Sequence, residues 1–318
     1  MTLAKRIRQL APTLFVAMAL AVLAVQPAAH SDERENIVIV VSRDDGPYEG
    51  IVSGVLGLLA SRAEDRQVAI HSLQADAEKA TEALRRARRE GGTPIVTVGS
   101  AASRAALEAE GKAPVIACMT ADEHALLESE NATGVLLEFP IETQLRWMRR
   151  LVPKSQSIGV LYSRDENHER IKRAKRIARE LGLRLVTREI GRPQELPDAL
   201  DSLAREADML WGVTDQLVLS RQTSQAVLLF SFRNRIPFSG LSASWVKAGA
   251  LYALDRDYED LGAQCGEMAV EVLQGRSADS LTPETPRKVN YTLNLRTAEH
   301  LRLEFPPELI KGADQVFR

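Results

Sequence analysis

Two short segments of this sequence are best placed to meet a charged ligand. Gly99-Ser100 follows directly on the β-branched run Pro94-Ile-Val-Thr-Val98, and Thr214-Asp215 follows directly on the apolar run that ends at Val213. A glycine lets the backbone come close and the serine adds a hydroxyl. If a helix starts there, its free N–H groups and its dipole favour an anion. Asp215 offers a carboxylate, which is a seat for a cation. A ligand touching both carries both charges, as an amino-acid-like zwitterion does. Loops of the same kind hold Ser42, Thr120, Ser163 and Ser242. Ser, Thr and Asp are also the usual residues at helix starts, so each position serves capping equally well.

Bond-making and metal-binding signatures are missing from the sequence. The five histidines (30, 71, 124, 168 and 300) stand singly, with no H-E-x-x-H. Gly240-Leu-Ser242-Ala-Ser244 lacks the closing glycine of a nucleophile elbow. Neither a Walker loop nor a G-x-G-x-x-G follows a strand. The expectation is a protein that is not an enzyme and holds no cofactor and no metal. Cys118 and Cys265 read as packed small residues, and the sequence does not decide whether they pair. Arg85-Arg86-Ala-Arg88-Arg89 reads as the solvated face of a helix. Trp147 and Trp211 fall on core-facing positions, and Trp245 falls in a loop near the cleft.

The chain has 318 residues, 45% of them hydrophobic and 26% charged, enough to bury a sizeable core. Lys plus Arg number 41 against 43 Asp plus Glu. A dedicated nucleic-acid binder would carry a basic surplus, so nucleic acid is not expected as a partner. Lys5, Arg6 and Arg8, the apolar run Leu10 to Val25, and the small residues Ala29 and Ser31 have the layout of a cleavable signal peptide. Residues 1–31 are therefore expected to be removed, leaving a periplasmic protein. No Cys lies near that cleavage site, so a lipoprotein is not expected. No later segment is apolar enough to span a membrane.

The elements that must position these loops alternate. Strands are expected at 36–41, 67–73, 94–98 and 114–118, with helices over 50–62, 75–90 and 100–110. After a pause at 131–137 the pattern restarts, with helices over 141–151, 166–181, 195–205 and 215–234 between strands at 157–162, 183–190 and 207–213. Such βαβα repetition implies an α/β fold of two Rossmann-like lobes with parallel sheets. Late elements, a helix over 257–274 and a strand over 289–293, suggest a hinge crossed three times. Lobe one is expected to be 36–137 plus 253–282, and lobe two 138–252 plus 283–318. Ligands of open α/β sheets sit at the carboxyl ends of the strands, where the loops named above lie.

The mature chain resembles bacterial ABC-transporter substrate-binding proteins, in the branch that includes tryptophan- and tyrosine-binding members, with a type I periplasmic-binding fold. The matching segments include Val98-Gly99-Ser100-Ala-Ala, Asn131-Ala-Thr-Gly134, Leu151-Val-Pro153 with Ile158-Gly-Val-Leu-Tyr162, and Asp215 after its strand. Gly249-Ala-Leu, Asp257-Tyr258, Val272-Leu-Gln-Gly275 and Asn294 with Ala298-Glu-His-Leu continue the series. The resemblance implies two lobes that close on a small amino-acid-like ligand and deliver it to an ABC permease in the inner membrane. The alternative is a periplasmic sensor that signals to a membrane protein without transport. A monomer is expected in either case. The ligand-binding set comprises Ser42, Gly99, Ser100, Thr120, Asn131, Ser163, Thr214, Asp215 and Ser242. The chain departs from the family in its charged first loop (Arg43, Asp44, Asp45) and in Thr120-Ala-Asp122, where members often show Asp-Pro.

Overall fold

The computed structural model describes residues 37–318, so the expected signal peptide lies outside the described residues. The first lobe runs β1 (Ile37–Val41), α1 (Pro47–Arg62), β2 (Val68–Ser72), α2 (Ala77–Glu90), β3 (Ile95–Val98), α3 (Ser100–Glu108), β4 (Val115–Thr120), α4 (Glu123–Glu128) and β5 (Ala132–Leu136). Its sheet has the order β2-β1-β3-β4-β5 and every pair is parallel. β1, β3 and β4 are buried along their whole length, which is why they read as continuous β-branched runs rather than alternating ones.

The second lobe begins with α5 (Ile141–Leu151), β6 (Ser157–Tyr162), α6 (Arg164–Glu180), β7 (Arg184–Glu189), α7 (Leu196–Ala204) and β8 (Met209–Trp211). It continues with α8 (Ser224–Asn234), β9 (Phe238–Gly240), α9 (Ala243–Lys247) and β10 (Tyr252–Arg256). The chain then leaves for α10 (Tyr258–Leu273) and returns as β11 (Val289–Asn294), α11 (Leu295–His300), α12 (Pro307–Lys311) and β12 (Gln315–Phe317). The sheet order is β12-β11-β10-β9-β8-β6-β7, with β10 and β11 the one antiparallel pair among its described strands.

α10 follows the second sheet in sequence but packs on α1 of the first lobe. Both helices carry a G-x-x-x-G spacing at the contact, Gly50 and Gly54 on α1, Gly262 and Gly266 on α10. A Cβ on Gly54 would stand 1.9 Å from the Glu259 carbonyl oxygen, and one on Gly262 would stand 2.1 Å from that of Ile51. The two backbones touch, and only glycine leaves the room. α10 also carries Cys265, which shares one apolar cluster with Cys118 of β4. Both thiols are free and fully buried, and burial pushes that of Cys118 up, with Cys265 beside it adding to the effect.

The structure moves several expected boundaries. Residues 253–256, expected in lobe one, belong to β10, because Ala253 pairs with Gly240 and Leu254 with Tyr291 inside the second sheet. Glu284, expected in lobe two, bridges to Val135 on the edge of β5. The helix expected from 215 begins only at Ser224, since the Asp215 side chain captures the N–H groups of Leu217 and Val218 and holds a turn there. Arg88, expected on a solvated face, is buried and donates to the carbonyls of Ala109 and Ala113.

Candidate functional site

A half-open cleft lies at the carboxyl edge of the second sheet, where the chain passes between lobes. The first passage supplies Glu138 and Phe139, and α5 supplies Gln144 and Met148. Arg170 comes from α6, residues 212–214 from the end of β8, and Ser239 from β9. β10 supplies Tyr252, Leu254 and Arg256 just before the second passage. Gly212 keeps this wall tight: a Cβ there would stand 2.6 Å from the Ser239 carbonyl oxygen.

Hydrogen bonds tie the passages to the sheet. The Trp211 indole N–H donates to Gln144 Oε1 at 3.0 Å, and Gln144 Nε2 donates to the Phe139 carbonyl at 2.9 Å. Arg256 Nε donates to the Leu137 carbonyl at 2.6 Å, and the guanidinium stands over the Phe139 ring at 5.4 Å. One side chain thus clips the first passage to the second. Arg170 pairs with Glu138 and faces the Trp211 ring at 5.8 Å. Burial brings the Arg170 pKa down to about 10, with the Arg173 charge contributing, so it stays protonated at neutral pH. Tyr252 is fully buried, and its hydroxyl lies near Ser239 without hydrogen bonding to it. Nearer the rim, Arg173 of α6 lies 3.7 Å from Glu123 of α4, an exposed ion pair between the lobes.

Asp215, expected as a free cation seat, spends its carboxylate on the protein. Oδ2 accepts from the Ser163 N–H (2.7 Å), the Ser163 hydroxyl (2.9 Å) and Asn167 Nδ2 (3.0 Å). Oδ1 accepts from the N–H groups of Leu217 (3.1 Å) and Val218 (3.0 Å). A carboxylate offers about four lone-pair positions, so five donors leave none for an ammonium. Burial alone would raise its pKa, but those bonds outweigh burial and hold it below the ordinary value. Ser163 is brought to Asp215 as its partner and is absent from the cavity lining. Thr214 does line the cavity, and its carbonyl accepts from Asn167. Ser242 faces Ser244 at 2.8 Å before α9 and is not among the lining residues. Trp245, expected in a cleft loop, lies in α9 and packs edge-on against Phe238.

In the first lobe, Gly99 holds a φ of +91° before α3, and a Cβ there would strike Ser42 Oγ and the Tyr48 ring at 2.7 Å. Ser42 Oγ accepts from the Ala102 N–H, and Ser100 Oγ accepts from that of Ala121 at 3.2 Å. Thr120 is buried and accepts from the Asp122 N–H. Ser100 and Thr120 share a groove between α3 and α4. Asn131 belongs elsewhere. It precedes β5, so it sits at the amino edge of the sheet, where its amide donates to the Lys112 carbonyl and its carbonyl accepts from Val115. That edge faces away from the strand ends that carry the loops above, so Asn131 leaves the ligand set.

Residues 36–317 match the model of one protein family, ABC transporter substrate binding proteins. The chain belongs to that family. Over 176 residues it is 29% identical to a tyrosine-binding protein of Clostridioides difficile strain R20291, covering 55% of this chain. The match spans 50% of the length of that curated relative. Among solved structures, a ligand-free, open substrate-binding protein with adhesive properties from Clostridium difficile superposes with a TM-score of 0.73 at 22% identity, covering 89% of this chain and 99% of the other. An ABC domain from Streptococcus pneumonia in complex with L-Trp superposes with a TM-score of 0.58 at 22% identity, covering 89% and 100%. The fold is that of type I periplasmic binding proteins.

In this substrate-binding protein, Thr214 is the one lining residue in the expected ligand set; Glu138, Arg170, Tyr252 and Arg256 are the titratable lining residues it lacked. Arg170 left a signal. It falls beside the stripe of α6 that buries Asn167, Ile171 and Ala174, where a charge is rarely found unless it is paired. Tyr252 and Arg256 left none, because no strand was expected over 252–256.

Proposed function

We propose that this chain is an exported solute receptor. In this reading residues 37–137 with 258–284 form one lobe, and 138–256 with 289–318 form the other. The lobes close on a small amino-acid-like ligand, and the closed form, a periplasmic monomer, delivers it to an ABC permease of the inner membrane. The cavity carries the reading: it lies at the carboxyl edge of the strands and is walled by two of the three passages between the lobes, so an occupant touches segments that join them. Two relatives whose names record tyrosine and L-Trp support an amino-acid-like ligand.

A thermal-shift screen of amino acids and small organic acids on the exported protein tests it. A ligand present at about 100 times its Kd should stabilise by about 2.7 kcal/mol, and small-angle scattering should show a smaller radius with ligand bound. A screen without a stabilising compound counts against the reading. Uptake of the same compound by vesicles carrying the permease tests delivery; binding without uptake would favour the sensor.

A further inference from the structure

The wall of this cavity holds spare polar groups. The lining carboxylate Glu138 pairs with Arg170, and Asp215, next to the lining residue Thr214, is filled by five protein donors. Two cavity side chains retain a buried polar atom without a partner, Nε of Arg170 and the hydroxyl of Tyr252. Buried donors are nearly always satisfied, and an exception in a binding cavity points to a group that arrives with the ligand. Arg256 adds a second guanidinium to the same wall, with Asp255 3.6 Å from its Nη1. A guanidinium fork matches a carboxylate in shape and charge, and a phenol hydroxyl adds a neutral donor.

We propose that the second-lobe wall is a carboxylate seat built on Arg170 and Tyr252, so that the protein recognises small carboxylic acids by their acid group and an amino group on the ligand is dispensable. This rests on the cavity being the solute site. It also reverses the orientation suggested by the sequence, in which the second lobe held the ammonium. The ligand's acid end lies against α6 and β10, beside the Arg256 clip on Leu137, and reports occupancy to the passage between lobes.

Calorimetry with matched probes separates acid from amine. L-Tyrosine is compared with 3-(4-hydroxyphenyl)propionate, which lacks the amine, and with tyramine, which lacks the acid; L-glutamate is compared with glutarate. At least one of the amine-free acids should bind within about tenfold of its parent amino acid, and tyramine should not bind. Arg170→Met should weaken acid binding at least about thirtyfold, as loss of one partner of a buried charged contact does. Tyr252→Phe should weaken it about fivefold, as loss of one neutral hydrogen bond does. Because Arg170→Met strands Glu138, the E138Q/R170M pair is measured beside it, with circular dichroism to confirm folding. Tyramine binding as well as tyrosine, or acids binding the folded Arg170 variants like wild type, would overturn the seat and leave the solute receptor standing. If no acid and no amine binds, both fall.

Discussion

Replacing Asp215 by Ala separates a structural carboxylate from a ligand-binding one. The residue is 2% exposed and accepts five hydrogen bonds, three of them from backbone N–H groups of Ser163, Leu217 and Val218. The remaining two come from the Ser163 hydroxyl and the Asn167 amide. Removing the acceptor leaves those donors inside the fold. The hydroxyl can rotate to another acceptor, and Asn167 keeps its bond to the Thr214 carbonyl, so the full cost falls on the backbone groups. At about 1–3 kcal/mol for each stranded buried donor, partly relieved by entering water, the loss is about 3–5 kcal/mol. That is the upper end of what single substitutions do. At roughly 2–4 °C per kcal/mol, the unfolding midpoint should fall by about 6–20 °C. Urea unfolding measures the loss directly, and calorimetry on the folded variant should give an affinity within about fivefold of wild type, a difference of about 1 kcal/mol. A variant as stable as wild type that has lost ligand affinity at least thirtyfold would refute the reasoning and return Asp215 to the ligand.

The other expectations are narrower. Gly54→Val places a side chain against the Glu259 backbone and should cost at least about 3 kcal/mol, in the range of severe overpacking, with α10 detached from α1 by hydrogen exchange. Asp215 and Asp260 both have folded pKa values below the ordinary 3.8, burial working the other way but being outweighed by the hydrogen bonds each accepts. Their contribution is therefore present above pH 3.8 and lost as pH falls through their folded values; acid unfolding of Asp215→Asn should show a shallower pH dependence there than wild type. Trp211 touches both Gln144 and Arg170, so a bound solute should change its fluorescence, and Trp211→Phe should remove most of that change; an unaltered signal change in that variant would place the solute elsewhere. Neither Cys118 nor Cys265 should react with Ellman's reagent in the native protein, and both should react after denaturation, since both thiols are free and fully buried.

The alternation of β-branched runs with helical periods made the two lobes legible, because each central strand is buried on both faces and needs no partner to announce itself. β10 hid for the opposite reason. Its sequence Tyr-Ala-Leu-Asp-Arg begins apolar and ends charged, so it offers no continuous apolar run and no strand was expected there. The α8 boundary was hidden by tertiary chemistry: residues 215–223 have no helix-breaking proline or glycine, and only the turn around Asp215 shows why the helix waits for Ser224. The pairing of α1 with α10 was written in both G-x-x-x-G spacings. A spacing says that something approaches closely, and 200 residues of intervening chain conceal what it is.

For the site, strand-end position was legible and orientation was not. Ser163, Thr214 and Asp215 were selected from separate segments, and the carboxyl edge brings them together as expected of a parallel sheet. Whether Asp215 turns to solvent or inward depends on donors 48 to 52 residues away, Asn167 and Ser163, whose positions exist only once β6 and β8 are paired. The same pairing that consumes the carboxylate sets the balance of the wall. With the lone pairs of Asp215 filled by donors and Glu138 paired with Arg170, the unpartnered groups are Arg170 Nε and the Tyr252 hydroxyl. A charge beside the buried stripe of a helix and a hydroxyl in the middle of a core are each unfavourable for folding alone. Both lie on one cavity, beside two of the three passages between the lobes, and in the proposed carboxylate seat an arriving acid group offsets that local cost.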